Sequence, residues 1–172
     1  WMIIAVIPVL VWHFRSIRHH YDMVALQLSL KHWRPQPSRN NIVIVPLGGV
    51  HRAVVEALDY ARSTTRDLRA VYVNVDAKAT ESVRRDWLEW GGGAELIVLE
   101  SPFRSLMEPL LDYIEQVERE HPEDFITILL PEFIPRRLWH HLLHNQQALL
   151  IKAALLFRPN VVVTSVPFHL RR

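Results

Sequence analysis

Residues 42–63 read IVIVPLGGVHRAVVEALDYARS, and the change of period inside this stretch decides the fold. IVIVPL is a short run of β-branched and apolar residues closed by Gly48 and Gly49, which reads as a strand ending in a turn. In the following segment Ala53, Val54, Ala57, Leu58 and Ala61 recur at helical spacing, as one buried helix face requires. A strand, a glycine turn and a helix therefore follow one another, and the strand is apolar on both of its faces.

The same unit repeats downstream. Residues 68–75, 94–99 and 125–130 read as further strands, with helices expected over 80–90, 105–120 and 139–157. A closing strand is expected over 160–166, between Pro159 and Pro167. Strands this uniformly apolar are buried on both faces, and crossovers through helices make them parallel. The expected fold is therefore α/β: a doubly wound, mostly parallel five-stranded sheet with helices on both faces. In such sheets ligands bind outside the carboxyl ends of the strands, near the point where strand order reverses.

Upstream of this domain, residues 1–12 read WMIIAVIPVLVW, without a charge. As a helix that run covers about 18 Å, against roughly 30 Å for a hydrocarbon core. Arg15, Arg18, His19 and His20 follow it, with Trp12 and Tyr21 as interfacial aromatics, so residues 1–15 read as the end of a truncated transmembrane helix with the remainder on the cytoplasmic side. A buried helix of a soluble protein is the competing account. Residues 16–40 read as an amphipathic connector followed by the proline-containing linker WRPQPSRNN, and residues 41–172 as the folded domain. The chain has 172 residues, 49% of them hydrophobic and 22% charged, a globular balance that excludes disorder. A net charge of +2 gives no argument for a nucleic-acid partner. The absence of cysteine removes disulfides, thiolate metal sites and thiol catalysis.

Four loops stand at the expected ligand edge. In the first, Gly48 and Gly49 precede a helix N-terminus whose amides favour an anion, and His51 and Arg52 add charge; turn sterics alone also explain the glycines. In the second, Asp76 suits either a ribose hydroxyl or a helix cap. In the third, Ser101, Phe103 and Arg104 combine a hydroxyl, an aromatic face and a guanidinium, against simple capping by Ser101 or Ser105. The fourth, over 131–137, carries Glu132, Phe133, Arg136 and Arg137, able to clamp a nucleotide or to pair internally. Gly91, Gly92 and Gly93 follow a helix and read as its stop. His140 and His144 share a helix face but lack the glutamate and third ligand of a hydrolytic zinc site. With no GxSxG elbow and no paired carboxylates either, the expectation is no enzyme and no metal.

Three segments carry a family resemblance: SPFRSLMEPLLDYI, ILLPEFIPRRLWHHLLHNQQA and VVVTSVPFHL. With the apolar start and basic linker, the chain resembles the cytoplasmic C-terminal domain of bacterial APC-superfamily permeases of the KimA potassium-importer type, a group whose members include amino-acid permeases. The resemblance implies a universal stress protein-like fold, and a homodimeric regulatory module, attached to the membrane-embedded part of its permease at the inner membrane, that binds cyclic di-AMP and inhibits transport. Carried onto this chain, the ligand-binding residues would be Gly48, Gly49, His51 and Arg52 after the first strand and Val73, Asn74, Val75 and Asp76 at the second. Arg104 and Arg136 are additional phosphate candidates. Where ATP-binding stress proteins have a glycine-rich motif after the fourth strand, this chain has PEFIPRRLW, which argues against ATP. A ligand-free dimerisation and assembly module is the alternative.

Overall fold

A computed structural model describes residues 1–32, 34, 39–101, 105–134 and 146–169, in two compact units, Trp1–Ser38 and Arg39–Arg172. The first unit is dominated by one helix, α1 (Met2–Gln27), with Pro8 inside it. It runs without a break through residues 15 and 16, and Ile4, Val9, Trp12 and Phe14 are exposed on it. Among the described residues no helix is long and apolar enough to cross a membrane.

The second unit is the alternating α/β domain. Its elements are β1 (Asn41–Leu47), α2 (Arg52–Thr64), β2 (Asp67–Asn74), α3 (Ala77–Trp90), β3 (Glu95–Glu100), α4 (Met107–Glu120), β4 (Phe125–Ile134), α5 (Gln146–Leu155) and β5 (Val161–His169). All neighbouring strands pair in parallel, in the order β3-β2-β1-β4-β5. The chain walks outward from β1 to β3, returns across the sheet, and walks outward again on the other side. Strand order therefore reverses between β1 and β4, as in doubly wound folds.

Side-chain alternation along β1 builds both halves of the core. Val43, Val45 and Leu47 point to one face, where Val54, Ala57, Leu58 and Ala61 of α2 and Val83 and Trp87 of α3 cover them. Ile42 and Ile44 point to the other, against Leu110, Ile114 and Val117 of α4 and Ile151 and Leu155 of α5. A strand buried on both faces needs apolar residues at every position, which is why no polar alternation interrupts IVIV. In α2 the buried residues are Ala53, Val54, Ala57, Leu58 and Ala61, the helix face read from the sequence.

The glycine triplet ends α3 as expected. Gly91 is the C-cap, and a Cβ there would meet the Trp87 indole at 2.6 Å. Gly92 and Gly93 take φ of 55° and 79°, the left-handed region that glycine enters without steric cost. The Trp87 indole N–H donates to Ala94 O at 3.0 Å, so the turn is held on both sides.

The last two strands differ from their expected bounds. β4 continues past Leu130 to Ile134, and β5 continues through Pro167 to His169, with Phe133 opposite Phe168. Residues 131–134, expected in a loop, are strand. Both prolines are tolerated for one reason: β5 is an edge strand, and β1 pairs with β4 only as far as Ile128, so each proline sits where one side of its strand has no neighbour to hydrogen-bond. α5 begins at Gln146; the part of the expected helix before it lies outside the described residues.

Candidate functional site

The turn after β1 lies at the carboxyl edge of the sheet, beside the reversal of strand order. β1 ends at Leu47, opposite Tyr72, and the chain crosses Gly48, Gly49 and Val50 before α2 starts at Arg52. Neither glycine has a positive φ, and a Cβ at either would meet nothing within 4 Å. Among the described residues, nothing fills the space beside these two glycines. His51 occupies the cap position in extended conformation, yet its side chain makes no capping hydrogen bond. The positive end of α2 is left without a side-chain cap, a setting that favours an anion.

Two rings and a guanidinium adjoin this turn. The His51 ring lies 4.9 Å from that of Phe133, and Phe133 meets Phe168 edge-on at 5.9 Å. The Arg52 guanidinium stands 5.9 Å over the Phe168 ring and pairs with Glu56 at 3.1 Å on the exposed surface. Such an exposed i,i+4 pair is worth about 0.3–0.5 kcal/mol and yields easily to a stronger anion. Partial burial pushes the His51 pKa below its ordinary value, opposed by a hydrogen bond with the backbone. The rings meet because β4 and β5 extend together beyond the last pair of β4 with β1.

At the second strand Val73, Asn74 and Asp76 are engaged in the fold. Val73 is buried. The Asn74 amide donates to Glu100 at 2.9 Å and accepts from the Thr80 hydroxyl at 2.7 Å. Asp76 is the N-cap of α3 and accepts from the Lys78 N–H at 3.2 Å, so of its two readings the cap is present. Val75 and Asp76 remain exposed. This half of the edge carries the carboxylates of Asp76 and Glu100, while the half beside β4 and β5 carries the rings of Phe133 and Phe168 and the Arg52–Glu56 pair.

In the third loop the Ser101 hydroxyl donates to Ser105 O at 2.7 Å, which closes the loop and does not cap a helix, and the Ser105 hydroxyl accepts from the Glu108 N–H at 3.5 Å, although the N-cap position of α4 is Leu106. Arg104, with Phe103, and Arg136, with Arg137, His140 and His144, lie outside the described residues. Glu132 pairs internally: its carboxylate accepts from Lys152 and from Ser165 at 2.8 Å, tying the extended ends of β4 and β5 to α5. The residue that sequence reasoning missed is Phe168, which sits next to the site only because β5 runs through Pro167. Among the described residues no group of three His, Asp or Glu side chains could hold a metal ion.

A separate open groove of about 550 Å³ is lined by Arg62, Arg66, Asp67, Gly92, Gly93 and Glu95 among others. These residues stand at the starts of β2 and β3, the sheet edge opposite to the one where such folds bind ligands.

The sequence matches the family described as KimA potassium transporter C-terminal domain over residues 38–168. It is also 32% identical over 174 residues to the potassium transporter KimA of Bacillus subtilis (strain 168). That similarity covers 100% of this chain but 29% of the relative's length, and the relative is named a transporter rather than an enzyme.

Proposed function

The chain belongs to the KimA potassium transporter C-terminal domain family, and from that premise we propose that it is a cytoplasmic regulatory domain that binds cyclic di-AMP and thereby inhibits potassium transport by the membrane-embedded remainder of its protein. The observation that carries this reading is the first-strand turn: an open glycine pair leading into a helix N-terminus without a side-chain cap, with Arg52 beside it, at the reversal of strand order. That is the setting in which an α/β sheet receives a phosphate. Gly48, Gly49, His51 and Arg52 form its phosphate end. Asp76, exposed and with acceptor capacity beyond its capping bond, offers a ribose hydroxyl an acceptor. Asn74, bonded on both ends of its amide, shapes the edge rather than reaching for a ligand. Arg104 and Arg136 stay phosphate candidates by sequence.

Cyclic di-AMP has two phosphates and two bases related by a two-fold axis, and a homodimer presenting one such edge per copy matches that symmetry. Self-association is favoured by the long edge strand β5 and by exposed Leu149, Leu150, Leu156 and Phe157 on and after α5, since an unpaired apolar edge recruits a partner. This observation also supports the second reading, an assembly module without ligand. Regulation needs only that the nucleotide prefer one arrangement of the dimer over another, with a coupling of about 1–3 kcal/mol passed through residues 16–40.

The test is potassium flux into vesicles carrying the whole transporter. Uptake is expected to fall when cyclic di-AMP is supplied on the cytoplasmic side, and the Arg52→Ala protein to lose that sensitivity. Uptake indifferent to cyclic di-AMP in the unaltered protein, with the dimer intact, selects the assembly module instead.

A further inference from the structure

We propose that Phe133, backed by Phe168 and flanked by His51, is the base-stacking shelf of the nucleotide site, so that the paired ends of β4 and β5 hold the base while the turn after β1 holds the phosphate. This inference rests on the nucleotide reading above and names residues and a division of labour that it lacks. Phe133 lies on the extended ribbon with 46% of its surface exposed, although the other described side chains of β4 between Ile126 and Leu130 are buried or half-buried. Phe168 stands opposite it in register on the β5 side and meets it edge-on, while on the other side the β1–β4 pairing has already ended at Ile128. In an edge-on pair each ring keeps at least one face that the other does not cover.

What surrounds the exposed ring points to a nucleotide base rather than to a plain apolar group. The His51 ring, 4.9 Å away and tilted by 48°, is in contact with Phe133 and extends the aromatic surface toward the turn. Arg52, whose guanidinium lies over Phe168, is two contacts from the shelf and at the start of the helix that faces the phosphate. Planar cation, planar rings and helix N-terminus thus fall within the span of one nucleotide. The ribbon that bears the shelf is also anchored from behind: Glu132, next to Phe133, joins Lys152 of α5 and Ser165 of β5. A stacking platform requires such rigidity, because a mobile ring loses entropy when a base settles on it.

Stacking on an aromatic face is tolerant of base identity, since every base presents a π-face. The shelf therefore contributes affinity and leaves the choice of adenine to other contacts. Removing a stacked aromatic from a nucleotide site weakens binding roughly 5- to 150-fold.

The 172-residue chain and its Phe133→Leu, Phe133→Trp and Arg52→Ala forms are titrated with cyclic di-AMP by calorimetry, each after its melting temperature is measured. Expected are a loss of roughly 5- to 150-fold for Phe133→Leu, affinity within a few-fold of the original for Phe133→Trp, and melting temperatures that stay together because the ring is half exposed. Phe168→Leu, which removes the support rather than the surface, should show the smaller loss. If Arg52→Ala abolishes binding while Phe133→Leu binds as the original does, the shelf is refuted and the nucleotide reading stands. A Phe133→Trp protein as weak as Phe133→Leu also refutes stacking. If the unaltered chain binds no cyclic di-AMP, the nucleotide reading and the shelf fall together.

Discussion

Replacing Gly49 with alanine should leave the fold as stable as before, or more so, while weakening the binding of a nucleotide. The stability half follows from the turn itself. Gly49 has no left-handed φ and a Cβ there meets nothing within 4 Å, so alanine is accommodated without strain. Its main effect is then on the unfolded chain, whose freedom it reduces, a stabilisation of about 0.4–1 kcal/mol. For a folded unit of this size that raises the melting temperature by about 1–4 °C. The binding half follows from the same empty space: if it is kept for a phosphate, the new methyl stands where the anion approaches the α2 amides. A loss of tenfold or more, about 1.4 kcal/mol, is expected. Thermal denaturation and calorimetric titration with cyclic di-AMP read the two halves separately. A Gly49→Ala protein that is destabilised by more than about 1 kcal/mol refutes the account of the turn, and one that is equally stable and binds equally well refutes the placement of the phosphate.

The glycines after α3 behave oppositely. Gly92→Ala should cost about 2 kcal/mol, since it forces a left-handed alanine and drives the Cβ to 2.3 Å from the Arg62 guanidinium, which donates to Gly91 O. Gly93→Ala, with the same sign of φ but open space, should cost only the backbone share of about 1 kcal/mol; denaturant titration of both compares them directly. Ile114→Ala, at a fully buried position between α4 and the sheet, should cost about 2–5 kcal/mol in the same assay. For His51 the sign is set by its lowered pKa: the unfolded chain takes up the proton first as pH falls. Its contribution to stability is complete above the ordinary histidine pKa of about 6.5 and is lost as pH drops through the lower folded value. The unfolding midpoint of the unaltered chain should therefore decline over that window relative to His51→Asn, and parallel curves would contradict the burial of the ring.

The strands that pass through the middle of the sheet were legible because burial on both faces forces apolar residues at every position, and IVIV is β-branched throughout and closed after a few residues by Gly48 and Gly49, which favours a strand over a helix. The helix after it was legible because one face alone meets the sheet, and Ala53, Val54, Ala57, Leu58 and Ala61 are that face. Strand ends were not, because proline punctuates a sequence without saying whether its missing N–H has a neighbour. Pro131 and Pro167 read as stops, yet both lie where a side of the strand is open. That difference bears directly on the site. Gly48, His51 and Arg52 could be placed at the switch point from a strand-turn-helix pattern, which is local. Phe168 could not, since its place beside Phe133 is a matter of register between two strands, and no local pattern encodes register. Asp76 shows the remaining kind of ambiguity: one carboxylate before a helix serves a cap and a ribose equally well on paper, and only the Lys78 contact distinguishes the role it fills in the fold.

The most direct test of the central claim is equilibrium titration of the 172-residue chain with cyclic di-AMP, with ATP and AMP as controls and the mass of the assembly followed in the same solution. Saturable binding near one cyclic di-AMP per dimer, without comparable binding of ATP or AMP, is the predicted result. A folded dimer that binds none of the three contradicts it.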